Sequence, residues 1–341
     1  MFARMLGLAE AAQPFNSITA TPPFISDLDL DIIADELPEP VMSSLGQTTK
    51  DDRLLYYWAA RSFFTGAGTI VDGGALVGST TTAFAEGLLA NAMASKPEQS
   101  ILVYDLFTDA NDGYSANLLR SWFDEKKSDD ATDYDFENHF RAATERYAHL
   151  LRIYKGDITT LGYTDKRPIE VLSIDVAKTA DIMRYMALEF FPRLAPRSLV
   201  LHQDYIFTYQ PWLTIAMEKL ADLFDLVYEV PTQCTAAFMP RKPITRADVE
   251  MRLESDFYSL KNASCLYRAL ERASTPSSKL YAMASISYFY HVMGRPKAAK
   301  RVAMRLYEQF RLTPEFIDRT ELKHLLQTEL GIDYKSSQIA W

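Results

Sequence analysis

The chain has 341 residues, 48% of them apolar and 12% aromatic, and carries a formal net charge of −9 at pH 7. That composition supplies one large core with an appendage and excludes an intrinsically disordered chain. No apolar run approaches the ~20 residues of a membrane helix, and Cys234 and Cys265 form neither a metal-ligand spacing nor a disulfide framework.

Charge is unevenly placed. Residues 241–341 carry 17 Lys and Arg against 11 Asp and Glu, whereas residues 1–240 carry 19 against 34. An acidic body argues against nucleic-acid binding, which relies on cations neutralising phosphates. The basic tail either docks on an acidic body, its own or another subunit's, or is simply a solvated face. The opening MFARMLGLAEAAQPF places acid and Gln before any long apolar run, so no signal peptide is expected and the reading is a cytoplasmic protein.

In chain order, residues 1–48 are rich in Pro, Asp and Ser, with an apolar patch at 30–33, and read as an arm over the body. KDDRLLYYWAARSFFT at 50–65 sets Leu54, Leu55, Trp58, Ala59 and Phe63 at helical spacing. TIVDGGALVGSTTTAFAEG at 69–87 then reads as a buried strand closed by Asp72, a glycine turn and a helix. Gly73 and Gly74 permit a sharp turn and a close approach of backbone to a ligand. The N–H groups of Gly78, Ser79 and Thr80 begin a helix, a start that attracts a carboxylate or phosphate. The spacing is D-G-G-x-x-x-G rather than the dinucleotide G-x-G-x-x-G, and the leading acid favours a cationic adenosine-bearing ligand such as S-adenosylmethionine. The alternative is a turn that only packs a helix on a sheet.

Further strands are expected at 101–105, 151–154, 169–175 and 198–202, giving five parallel α/β units with the first. A helix at 213–223 and the apolar pair within FDLVYEVPTQCTAAFMPRK add a closing hairpin. The segment 108–149 reads as a cover beside the pocket, and Tyr114, Tyr134, Tyr205, Tyr209 and Trp212 either stack on a sugar or pack in the core. SIDVAK and LHQDYI bring Asp175, Lys178, His202, Gln203 and Asp204 to one sheet edge. His202 reads either as a general base oriented by Asp175 or Asp204, or as a histidine finishing a buried strand. The tail pattern SSKLYAMASISYFYHVMGRPKAAKRVAMRLYEQF predicts two antiparallel helices around Gly-Arg-Pro, resembling one tetratricopeptide-type hairpin. The expected division is an arm at 1–48, a cofactor-binding domain at 49–243, and a docking or homodimerisation region at 244–341. Deleting residues 245–341 is expected to alter oligomeric state or solubility more than cofactor affinity.

Taken in order, IVDGGALVGSTTTAFAEGL, ILVYDLF, IYKGDI and IEVLSIDVAKTADIMRYMALEFFPRLAPRSLVLHQDY resemble the class I S-adenosylmethionine-dependent methyltransferases. The resemblance spans about residues 50–240 and is most similar to the macrocin O-methyltransferase type. It implies a Rossmann-like, mostly parallel sheet with a terminal antiparallel hairpin and a C-terminal helical appendage. It implies that Asp72, Gly73, Gly74 and Gly78, with Ser79 and Thr80 beside them, hold the methionine end of the cofactor. Asp105 would accept both ribose hydroxyls and Asp157 the adenine amine. It further implies magnesium held by Asp175 and Asp204, lowering the pKa of a coordinated sugar hydroxyl. The family carries second acids where Ala177 and Gln203 stand, so such a site is poor in charge, and the Gln203 carbonyl would have to help. His202 with Asp175 offers a route without metal. The implied activity is O-methylation of a sugar or glycosylated secondary metabolite. A NAD- or nucleotide-binding oxidoreductase and a non-catalytic Rossmann-like protein acting through its tail remain as alternatives.

Overall fold

The computed structural model describes residues 30, 33–92, 98–127, 131–254, 256–313 and 323–331. The runs TIVDG, ILVYD, IEVLSI and LVLH are rich in Val, Ile and Leu, and as strands they are covered on both faces. In chain order the strands are β1 Thr69–Gly73, β2 Ile101–Asp105, β3 Thr108–Ala110, β4 Asp133–Asp135, β5 Leu151–Lys155, β6 Ile169–Ile174, β7 Leu194–His202, β8 Phe224–Glu229 and β9 Ala236–Pro240. Seven form one sheet ordered β5-β2-β1-β6-β7-β9-β8, parallel except that β9 runs antiparallel to both its neighbours. This is a mostly parallel, Rossmann-like sheet with a closing antiparallel hairpin, as expected. The chain winds outward from β1 through β2 to β5, then returns to lay β6 on the other side of β1. The carboxyl ends of β1 and β6 therefore flank a switch point, where open α/β sheets receive ligands.

The helices are α1 Glu39–Ser43, α2 Lys50–Trp58, α3 Ser79–Ala90, α4 Tyr114–Phe123, α5 Glu137–Thr144, α6 Ile158–Leu161, α7 Ala180–Glu189, α8 Pro211–Lys219, α9 Arg246–Leu253, α10 Ala263–Arg272, α11 Pro276–Val292 and α12 Pro296–Phe310. A capping box starts α2: Thr49 and Asp52 satisfy each other's backbone N–H groups, at 2.9 and 3.3 Å. Strand alternation assigns the two cores. Ile70, Val103, Val171 and Leu201 meet Leu55, Tyr56, Phe84 and Phe140 on one face. Val71, Leu102, Leu172 and Val200 meet Met183, Met186 and Ala216 on the other.

Two features depart from the sequence reading. The cover contains its own antiparallel pair, β3 with β4, and is anchored by Leu119, Phe136, Phe140 and Tyr147 in the first core. The tail hairpin forms as expected, α11 and α12 meeting through Ala284, Ala299 and Ala303. However, α9 to α11 also send Val249, Leu253, Leu266, Ile286 and Phe289 into the core that holds Met183 and Met217. Arg268 and Arg272 of α10 clasp the buried carboxylate of Glu218 on α8. The expected boundary at 243/244 thus runs through one continuous apolar core. Of the expected arm, residues 1–29, 31 and 32 lie outside the described residues, while Leu30, Ile33 and Val41 are buried against the first core.

Candidate active site

The turn after β1 is held in an unusual backbone path, with Gly74 at φ +93°, Leu76 at +50° and Gly78 at +95°. Left-handed geometry at a leucine is unfavourable, and a carboxylate stabilises it: Leu76 N donates to Asp105 Oδ2 at 2.9 Å. Asp105 Oδ1 accepts Phe107 N at 2.8 Å, so the carboxylate braces the backbone on both sides of the crevice turn. A carboxylate has about four acceptor positions, and with the Ala75 backbone also bonded to it Asp105 keeps room for one further donor. Burial raises the Asp105 pKa, opposed by these backbone donors.

The glycines serve different purposes. A Cβ on Gly74 would lie 2.7 Å from Asp175 C and 2.9 Å from Val176 N, so its bareness lets β1 and β6 close up rather than only admitting a ligand. One on Gly78 would lie 2.7 Å from Thr144 Cγ2 of the cover. Gly78 N is taken by Ala75 O at 2.8 Å. Asp72, Ser79 and Thr80 face inward. The Asp72 carboxylate accepts Thr80 Oγ1 at 3.0 Å and Thr81 Oγ1 at 2.5 Å, and Ser79 Oγ meets Thr48 Oγ1 of the arm at 2.9 Å. Burial pushes the Asp72 pKa up to about 6 despite those hydroxyls. Of this turn, Gly74 and Leu76 are the residues with appreciable exposure. Asp157, exposed after β5, caps α6 by accepting Thr159 N at 2.8 Å.

At the neighbouring strand ends, β6 pairs with β7 so that Ile174 lies opposite His202, and Gln203 N donates to Ile174 O at 3.1 Å. Asp175 and Asp204 therefore emerge side by side. A tight turn, with Lys178 N donating to Val176 O at 2.8 Å, folds Lys178 back between them. Its Nζ donates to Asp175 Oδ1 and, at 2.7 Å, to Asp204 Oδ2. Burial, seconded by Asp204 and opposed by Lys178, raises the Asp175 pKa to about 7. Loss of hydration disfavours the Lys178 charge, but the two carboxylates outweigh it and hold the ammonium above the usual lysine range.

The expected magnesium site is corrected by this arrangement. An ammonium stands between Asp175 and Asp204, and the Gln203 carbonyl Oε1 is committed to Tyr56 Oη at 2.7 Å. Among the described residues no three His, Cys, Asp or Glu side chains are grouped to hold a metal. The residues present do not fit a divalent ion. His202 is also differently placed. Alternation turns it inward with Val200, its ring 6.4 Å from that of Tyr205, fully buried and with no partner for either nitrogen among the described residues. Neither Asp175 nor Asp204 orients it. Burial lowers its pKa to about 4, so the imidazole is neutral.

Sequence reasoning missed the supports beneath these groups. Tyr56 packs edge-on against Phe84 and sends its hydroxyl to Gln203, with Ser173 Oγ 3.5 Å away. Buried Asp52 accepts Thr235 Oγ1 at 2.7 Å, and Thr235 Oγ1 also reaches Gln203 O at 2.9 Å. Tyrosine within the apolar face of α2 signals a hydroxyl needing a partner, but the partner is 147 residues away in sequence. Of the candidate stacking aromatics, Tyr205 is buried and Tyr209 packs on Tyr288 at 5.0 Å, while Trp212 Nε1 donates to Ala177 O at 3.3 Å. Tyr134 lies under the Arg120 guanidinium, and Tyr114 is open to solvent, with Gln47 on its hydroxyl.

No family model and no curated protein matches the chain. Solved structures superpose in part. The O-methyltransferase NovP does so at a TM-score of 0.45 and 14% identity, over 62% of this chain and 98% of that one. Apo CalS11, a TDP-rhamnose 3'-O-methyltransferase of calicheamicin biosynthesis, gives 0.40 and 15% over 63% and 92%. The SAH-bound Podospora anserina methyltransferase PaMTH1 gives 0.41 and 12% over 68% and 99%. Likeness at that level decides nothing about chemistry, which has to come from the chain's own groups.

Proposed function

We propose that this chain is an S-adenosylmethionine-dependent O-methyltransferase of the class I type, acting on a hydroxyl of a small sugar-like acceptor. One observation carries the reading: a contiguous line of accessible groups at the switch point of the sheet. It runs from Asp105 through the Gly74 and Leu76 backbone to Asp175, Lys178 and Asp204. Asp105 suits a ribose hydroxyl, the backbone beside it suits the body of the cofactor, and the paired acids lie where an acceptor would meet it. Bound S-adenosylmethionine supplies an electrophilic methyl on a sulfonium. Asp175 Oδ takes the acceptor's hydroxyl proton as the oxygen–carbon bond forms and the sulfur–carbon bond breaks. Burial raises the Asp175 pKa above the ordinary carboxylate range, which makes it a stronger base for that transfer. His202, neutral and enclosed, does not take the proton.

The test is isothermal titration with S-adenosylmethionine and S-adenosylhomocysteine on wild type, Asp105→Asn and Asp105→Ala. Binding that weakens stepwise through the two variants supports the reading. Absence of binding by both ligands to folded wild type favours a non-catalytic protein, a reading that the inward bonding of Asp72, Ser79 and Thr80 would then explain.

A further inference from the structure

We infer that Lys178 is the resident cation of this site: its ammonium takes the place a divalent metal would need between Asp175 and Asp204, and presents its remaining N–H to the acceptor oxygen. The second half rests on the proposed methyl transfer; the first does not. Three details build the position. The Val176–Lys178 turn and the bond from Trp212 Nε1 to Ala177 O fix the loop that carries the lysine. The register of β6 against β7 fixes the two carboxylates that receive it. The side chain is nonetheless 52% exposed, so it faces the crevice.

An ammonium has three N–H donors, of which two are used here among the described residues. The third matches a hydroxyl oxygen that gives its proton to Asp175, so one neutral acceptor group is read at once as donor and as acceptor. A metal ion would add a second and larger positive charge beside Nζ, and would have to share the Gln203 carbonyl with the Tyr56 hydroxyl. Lys178 lies just before the positive N-terminal end of α7, where a lone cation is disfavoured; the two carboxylates offset that.

The experiment is manganese capture by the purified full chain, read as loss of the free Mn²⁺ electron-resonance signal. Wild type should leave the signal unchanged. Lys178→Ala should capture one ion, and Lys178→Ala with Asp204→Asn should lose that capture, each variant first shown to unfold cooperatively. Capture by wild type that Asp175→Asn abolishes overturns the inference, as does no capture by folded Lys178→Ala. None of these readings needs methyl transfer, so they stand or fall apart from the cofactor titration. With an acceptor in hand, wild-type turnover should be indifferent to EDTA. Lys178→Ala should lower it roughly 10- to 100-fold, the worth of one charge-assisted hydrogen bond.

Discussion

Gly74→Ala tests whether the turn after β1 is shaped by its packing against β6. The residue sits at φ +93°, where an L side chain costs about 1–2 kcal/mol. The new Cβ would lie 2.7, 2.9 and 3.0 Å from Asp175 C, Val176 N and Asp175 O. Those are backbone atoms, so relief requires moving the end of β6, and such overpacking costs about 1–3 kcal/mol. The sum is roughly 2–5 kcal/mol, a large part of a typical folding stability. Gly73→Ala is the control. Its φ is ordinary, and its Cβ would meet Ser173 O at 3.1 Å and a Val176 methyl at 3.4 Å, contacts relieved by shifts of a few tenths of an ångström, so about 1 kcal/mol is expected. Urea unfolding followed by tryptophan fluorescence should show a much lower midpoint for Gly74→Ala at unchanged slope. If Gly74→Ala stayed within about 0.5 kcal/mol of wild type, the range of an ordinary surface change, the glycine's role against β6 would be refuted.

Three other outcomes are expected. Between pH 4 and 6 the folded chain keeps on Asp72 a proton that the unfolded chain has released, so raising pH favours unfolding. About 1 kcal/mol of this falls between pH 5 and 7, and Asp72→Asn should remove that part of the slope in urea titrations at the two values; an identical slope would count against a raised Asp72. Truncation after residue 243 should yield a chain without a cooperative melt, because Leu266, Ile286 and Phe289 leave the main core and Glu218 loses both arginines. A truncated chain melting at the wild-type temperature would mean the tail is an independent module. Finally, the ring protons of His202 should not titrate between pH 5 and 8 by NMR, and a midpoint near 6.5 would place the ring in contact with water.

The sequence alone determined the sheet and its edge. Apolar runs ending in Asp72, Asp105, Asp175 and His202 declare buried parallel strands, because such runs are stable only with both faces covered. The closing apolar pair at 224–240 declares the terminal hairpin, while the strand order itself is settled only by the tertiary structure. The sequence also brought Asp175, Lys178, His202, Gln203 and Asp204 to one edge, since residues at parallel strand ends share it. The tertiary structure alone decided how those groups are turned and bonded there. Whether His202 faces the crevice or the core depends on strand parity against its neighbours. Whether Gln203 is free depends on Tyr56, far away in the chain. Whether two carboxylates hold a metal or an ammonium depends on a three-residue turn that folds Lys178 back between them. Local pattern specifies where a residue lies along an element; partners across the fold specify its charge, its exposure and its bonds, because hydrogen bonding and desolvation act through space.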